Sequence, residues 1–251
     1  MFEKTFETSE HPQIKVTMCA GDLSVQGEAT QQVHVQMSED EGRLSVSQEE
    51  DSIFVETTGD CRITCPTGAT LTIDTVHGDL KVKAVEGAVT IGTVHGDLRL
   101  RDTGRATMGM IHGDLLARRI AGELTAGSVA GDARVEHLEG RATLGSIGSD
   151  LDAKNIEGGL EATVGSDVKL TPPFEPGAVY RVTTGSDLLV LVPKDGSLRF
   201  TFHVGGDVES EVAGLSTTEE SGAVTGSFGD AENPAILEAS VGSDVALRPA
   251  E

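Results

Sequence analysis

The chain has 251 residues, 41 acidic against 19 basic side chains and a formal net charge of −22. So acidic a chain repels a phosphate backbone, which argues against general nucleic-acid binding. Trp is absent, and no apolar run approaches the ~20 residues that a membrane helix needs, so no transmembrane segment is expected.

The opening stretch, MFEKTFETSEHPQIKV, lacks the basic head and apolar core of a signal peptide, which points to the cytoplasm. Residues 1–60 carry 3 basic and 13 acidic side chains. Gly21-Asp22 and Gly59-Asp60 sit there in weak copies of a motif that strengthens later. These residues read as alternating strands that cap a coil and run on into it, since an open sheet edge invites aggregation. Cys19, Cys61 and Cys65 fall on the inward phase of the alternation, so they read as small core hydrophobes in a reducing compartment.

From residue 61 the chain repeats itself. Val76-His77-Gly78-Asp79-Leu80 returns as VHGDL at 94–98 and IHGDL at 111–115, then as VAGDA, IGSDL, VGSDV, TGSDL, VGGDV and VGSDV. The steps between the Asp residues are 18, 17, 18, 18, 17, 20, 20 and 37. A period near 18 is one coil of a solenoid. Residues 88–104, AVTIGTVHGDLRLRDTG, show how a coil is made. Val89, Ile91 and Val94 line one face of a first strand, with an extra residue at Gly92 that reads as a bulge. His95-Gly96-Asp97 turns a corner, and Leu98 and Leu100 line a second strand whose outer face carries Arg99 and Arg101. The bulge recurs at Gly109, Gly127 and Gly145 and vanishes from Leu160 onward. The 37-residue step hides a degenerate rung at Val224–Phe228, with Ser227 in the Asp place, and 213–223 and 229–235 read as loops.

The fold expected is therefore all-β: a single-stranded parallel β-solenoid, or β-helix, right-handed, with rungs of about 18 residues and an N-terminal strand cap. Residues 1–60 form the cap and 61–251 the repeats. The segment 61–100 carries a strand ending in Pro66, then Thr67-Gly68, then repeated Gly-Asp corners. It resembles the bacterial putative-adhesin family of β-strand-repeat proteins, a domain of unknown function. The resemblance extends over residues 1–250 and implies a parallel β-solenoid with a structural or surface role. It brings no catalytic residues.

Four features remain as candidates for function. The corner Asp residues read as turn caps, because a carboxylate accepts nearby backbone N–H groups; a calcium row would need six to eight oxygens per ion. His77, His95 and His112 occupy three consecutive corners and would stack about 5 Å apart, which suggests a site for a divalent transition metal. Lys81, Lys83, Arg99, Arg101, Arg118, Arg119 and Arg134 form a basic stripe on the outer face of the second strands, a docking surface for an anionic polymer, a lipid surface or the acidic ends of another copy. Thr72, Thr90, Thr107, Thr125 and Thr143 form an outer column on the first strands. No Ser-His-Asp set, phosphate loop or paired-carboxylate motif stands out. The expectation is a non-catalytic scaffold that meets a protein partner or itself, without a cofactor; the alternative is a solenoid that binds a metal or an anionic ligand through the His corner and the basic stripe.

Overall fold

A computed structural model of the chain describes residues 2–37, 43–194, 196–220, 222–229 and 232–250. Residues 38–42 of the expected cap, and 221, 230 and 231 of the expected loops, lie outside the described residues. Among those described there are 27 strands in two mostly parallel sheets, and no helix is long and apolar enough to cross a membrane. The chain forms two compact units, Met1–Val129 and Ala130–Glu251.

The N-terminal unit contains β1 (Phe2–Glu7), β2 (Gln13–Cys19), β3 (Leu23–Glu28), β4 (Gln32–Met37), β5 (Leu44–Glu49), β6 (Ser52–Thr57), β7 (Cys61–Pro66), β8 (Thr70–Val76), β9 (Leu80–Val85), β10 (Val89–Val94), β11 (Leu98–Thr103), β12 (Ala106–Ile111), β13 (Leu115–Ile120) and β14 (Leu124–Val129). In its first sheet the order is β5-β6-β2-β8-β10-β12-β14, and in its second β1-β4-β7-β3-β9-β11-β13. Each Gly-Asp corner passes the chain from the first sheet to the second. Val94 lies beside Val76 and Ile111, and Leu98 beside Leu80 and Leu115. All six are at most 1% exposed. Burying each contributes roughly 1.5–3 kcal/mol relative to exposure, and only stacked neighbours can cover them.

The bulge sits where the Gly column places it. Register runs Ile91 beside Met108 and then Thr93 beside Met110, so Gly92 and Gly109 are the extra residues. The second sheet has a bulge of its own that the sequence reading missed. Ala84, Asp102 and Arg119 take positive φ of 56°, 54° and 53°, each one residue before the buried Val85, Thr103 or Ile120.

Within the stretch expected to cap, β2–β3 and β6–β7 are rungs in their own right, turned at Gly21-Asp22 and Gly59-Asp60. The pair β2–β3 is inserted between β6–β7 and β8–β9, so order in space departs from order in the chain. Beyond them β1, β4 and β5 run antiparallel to their neighbours and close the end. Lys4 Nζ on β1 donates to the Val46 carbonyl on β5 at 3.1 Å, tying the two sheets together there. Cys19, Cys61 and Cys65 are unpaired and at most 4% exposed, as core residues should be. Burial pushes their thiols up to about 11, 12 and 12.

The C-terminal unit contains β15 (Ala133–Leu138), β16 (Ala142–Ile147), β17 (Leu151–Ile156), β18 (Leu160–Val164), β19 (Val168–Thr171), β20 (Val179–Thr184), β21 (Leu188–Val192), β22 (Leu198–Val204), β23 (Val208–Ser210), β24 (Ser216–Glu220), β25 (Ala223–Phe228), β26 (Ala235–Val241) and β27 (Val245–Pro249). Its sheets run β16-β18-β20-β26-β22-β25-β24 and β15-β17-β19-β21-β27-β23. The register shift between Leu144 and Ile147 marks the last bulge, and β18 to β20 pair without one, as the clean alternation after Leu160 implies. Here too the rung nearest the chain end, β26–β27, is inserted, between β20–β21 and β22–β23.

Two expectations are overturned here. Val224–Phe228 is no degenerate rung: Gly226 and Ser227 lie inside β25, which runs antiparallel to β22 and pairs Ser227 with Arg199. Gly226 is needed for packing rather than for a corner, since the Phe200 ring lies 2.3 Å from where its β-carbon would be. Residues 216–220, expected in a loop, form the partner strand β24. Phe200 and Phe202 stack at 4.6 Å and fill the core under this hairpin.

Candidate functional site

The corner carboxylates are joined from rung to rung. In the N-terminal unit the Asp79 N–H donates to Asp22 Oδ1 at 2.8 Å, Asp97 to Asp79 at 2.9 Å and Asp114 to Asp97 at 3.0 Å. In return the Leu80 N–H donates to the Asp97 carbonyl at 2.9 Å. In the C-terminal unit Asp150 donates to Asp132, Asp167 to Asp150, Asp187 to Asp167 and Asp244 to Asp187, at 3.1–3.2 Å. The Asp residues are caps, as expected, but each caps the next coil instead of its own turn. The residue before the Asp tunes the fit. Where it is Gly, as at Asp22, Asp79, Asp97, Asp114 and Asp207, the bond measures 2.8–3.0 Å. Where it is Ser, all four bonds are longer. A β-carbon on Gly96 would stand 2.3 Å from Asp79 Oδ1, so a side chain there must displace the carboxylate.

The three corner imidazoles stack as their spacing requires. His77 and His95 have centroids 4.9 Å apart at 2°, and His95 and His112 4.8 Å apart at 4°. All three are exposed. In parallel rings the ring-nitrogen lone pairs, which lie in the ring planes, run side by side and do not converge on one point, as a chelated ion needs. Among the described residues no group of three or more His, Cys, Asp or Glu is arranged to hold a metal ion.

The basic stripe is brought together by the register of the second sheet. Arg99 lies beside Lys81, and Arg101 between Lys83 and Arg118. Several of the arginines are paired with carboxylates. Arg99 reaches Asp97 at 3.0 Å and Asp79 at 3.4 Å, so it braces two steps of the Asp ladder. Arg101 lies 3.4 Å from Asp102, which also accepts two bonds from Arg119. The Arg119 hydrogen bond, together with the nearby Arg101 and Lys83, holds the Asp102 carboxyl below its ordinary range. Arg134, in the C-terminal unit, pairs with Glu136 at 2.6 Å and lies 3.7 Å from Asp152. Asp102 is the member of this candidate site that the repeat pattern did not single out. Its signal was available: Asp, Asn and His are the non-Gly residues most often found at positive φ, and Asp102, His137 and Asn155 share the bulge position.

The Thr columns are also real. Thr90 lies between Thr72 and Thr107, and Thr107 beside Thr125, but Met110, 47% exposed, interrupts the neighbouring column of Thr75, Thr93 and Ser128. Tyr180 is a core residue whose hydroxyl donates to the Ile156 carbonyl at 2.7 Å. Burial holds its phenol above the ordinary value.

No family model matches the chain, and no curated protein matches it. Among solved structures it is similar to a putative cell adhesion protein from Clostridium sporogenes ATCC 15579, at 11% identity and a TM-score of 0.30, covering 99% of each chain. It is also similar to a putative adhesin from Bacteroides fragilis NCTC 9343, at 12% identity and a TM-score of 0.24, covering 98% of this chain and 96% of that one. Both are named for adhesion, as is the family that the 61–100 segment resembles. At these scores the likeness carries no functional weight.

Proposed function

We propose that the chain is a non-catalytic interaction scaffold that associates with further copies of itself, the basic columns of one copy meeting an acidic end of another. The observation that carries this is the fixed array of Lys81, Lys83, Arg99 and Arg101 on two adjacent strands. It stands in a chain whose residues 1–60 sum to −10 and whose residues 171–251 sum to −9. Opposite fields of this kind steer association and set its register. The coil is read as right-handed with rungs of about 18 residues; the rung length is supported by Val89 lying beside Leu71 and Ala106. A cytoplasmic setting belongs to the same proposal, because three buried, unpaired thiols suit a reducing compartment. The parallel imidazoles do not favour the metal-binding alternative.

The test is light scattering of the full chain at about 50 mM and about 500 mM salt, since screening weakens contacts between exposed charges. The mass should fall with salt, and the double variant Arg99→Glu/Arg101→Glu should stay monomeric at both. A monomer throughout, or an assembly indifferent to salt and to the double variant, would overturn the proposal.

A further inference from the structure

The outer end of the C-terminal unit is built unequally. Its first sheet continues past β22 with β25 and β24, whereas its second stops at β23. Among the described residues, β25 and β24 therefore have no strand facing them across the core. Between β23 and the β24–β25 hairpin lies a cleft of about 620 Å³, whose lining mixes Val208, Val212, Leu215 and Val224 with polar groups, Glu209 and Glu219 among them. All four aliphatic side chains are only partly buried, although Val245, which lies beside Val208 one strand further in, is 1% exposed.

The backbone of β23 is open on the same side. The Val245 N–H donates to the Asp207 carbonyl and the Glu211 N–H to the Leu247 carbonyl, both at 2.9 Å. In a strand, the N–H and C=O of one residue point the same way and alternate along the chain. Residues 207, 209 and 211 therefore face β27, and Val208 and Ser210 turn their polar groups to the free edge. Unpaired edge groups beside uncovered aliphatic side chains form a template for one more strand. At the N-terminal end, by contrast, Lys4 on β1 reaches across to the Val46 carbonyl on β5.

We propose that this end takes an extended segment of another protein, with aliphatic and basic side chains in alternation, as an added strand beside β23. Its aliphatic residues cover Val208 and Val224, and its basic residues lie over Glu209 in a region that sums to −9 between 171 and 251. A second copy is a poor occupant by the same reasoning. Its exposed edge strand β1 carries Glu3 and Glu7 and would bring like charge to like.

The test uses the full chain and a short fluorescent peptide alternating Val and Lys, followed by anisotropy. Saturable binding is expected, with affinity lowered about tenfold or more by Ser210→Pro, which deletes one edge N–H and leaves the bonds to β27 intact. Ser210→Ala keeps that N–H and should bind like the parent. The same peptide N-methylated at every second residue retains its charge but cannot pair, and should bind as weakly as the parent peptide binds Ser210→Pro. Melting followed by circular dichroism establishes that the Pro variant is folded; if it is not, the N-methylated peptide decides alone. Equal binding of the N-methylated or of a Val-Glu peptide, or no binding at high micromolar peptide, would overturn the proposal, as would a dimer that Ser210→Pro dissociates. Arg99→Glu/Arg101→Glu should leave peptide binding unchanged, which separates this edge from the basic columns.

Discussion

Gly109 packs directly onto Gly92: a β-carbon on Gly109 would stand 2.5 Å from the Gly92 carbonyl oxygen. That oxygen is backbone and cannot swing away. Gly109→Ala must therefore push β12 off β10 and should cost roughly 1–3 kcal/mol, as overpacking does. Thr107→Ala, exposed on the same strand, should stay within about 0.5 kcal/mol of the parent. Urea denaturation followed by circular dichroism measures both, and equal midpoints would show that the Gly column is not a packing requirement.

The Asp ladder predicts a difference between deleting an acceptor and neutralising it. Asp97→Ala leaves the Asp114 N–H and Arg99 without this carboxylate and should lower stability by about 1–2 kcal/mol. Asp97→Asn keeps an oxygen in place and should cost less than half as much. Thermal melts of the two variants side by side would refute the inter-rung cap if they coincide.

Asp102 sets a pH dependence whose sign is fixed by Arg119. Its folded carboxyl titrates below the unfolded value of about 3.9, so its contribution is present above that value and lost as pH falls through the lower one. The difference in melting temperature between the parent and Asp102→Asn should be constant at neutral pH and shrink in acid. The pair is exposed, so the effect is small; a gap that widens in acid would contradict the pairing.

The three thiols should be silent to a disulfide reagent at pH 8 in the native protein, because the thiolate is the reacting form and burial raises Cys19, Cys61 and Cys65 to about 11, 12 and 12. All three should react at once in denaturant. A thiol that titrates quickly without denaturant would reveal local opening at β2 or β7.

Much of the architecture was legible because stacked coils repeat their chemistry: Val76, Val94 and Ile111 announce their own adjacency. The Gly column did the same, since only a missing β-carbon fits above a carbonyl. Periodicity is blind to the order in which coils are stacked, however, and β2–β3 look the same whether they lie at the edge or one layer in. It is equally blind to a strand that merely borrows the motif: Val224–Phe228 has the right letters, but Phe200 beneath Gly226 makes it a hairpin arm. The basic columns were readable from outward positions on β9, β11 and β13. Their counter-ions were not, because the Asp ladder lies on a different column and Asp102 reaches the surface through an unexpected bulge.

The insertion of residues 13–28 between 52–66 and 70–85 means that this end of the stack has no first repeat to lose. A solenoid that is wound in strict succession can shed or duplicate its last layer and still close. Here the leading segment is a keystone, held by layers that come later in the chain, and cutting it away would open a slot through both sheets. Changes in length are thereby directed to the uniform middle coils, and folding has to wait for distant parts of the chain before this end can lock.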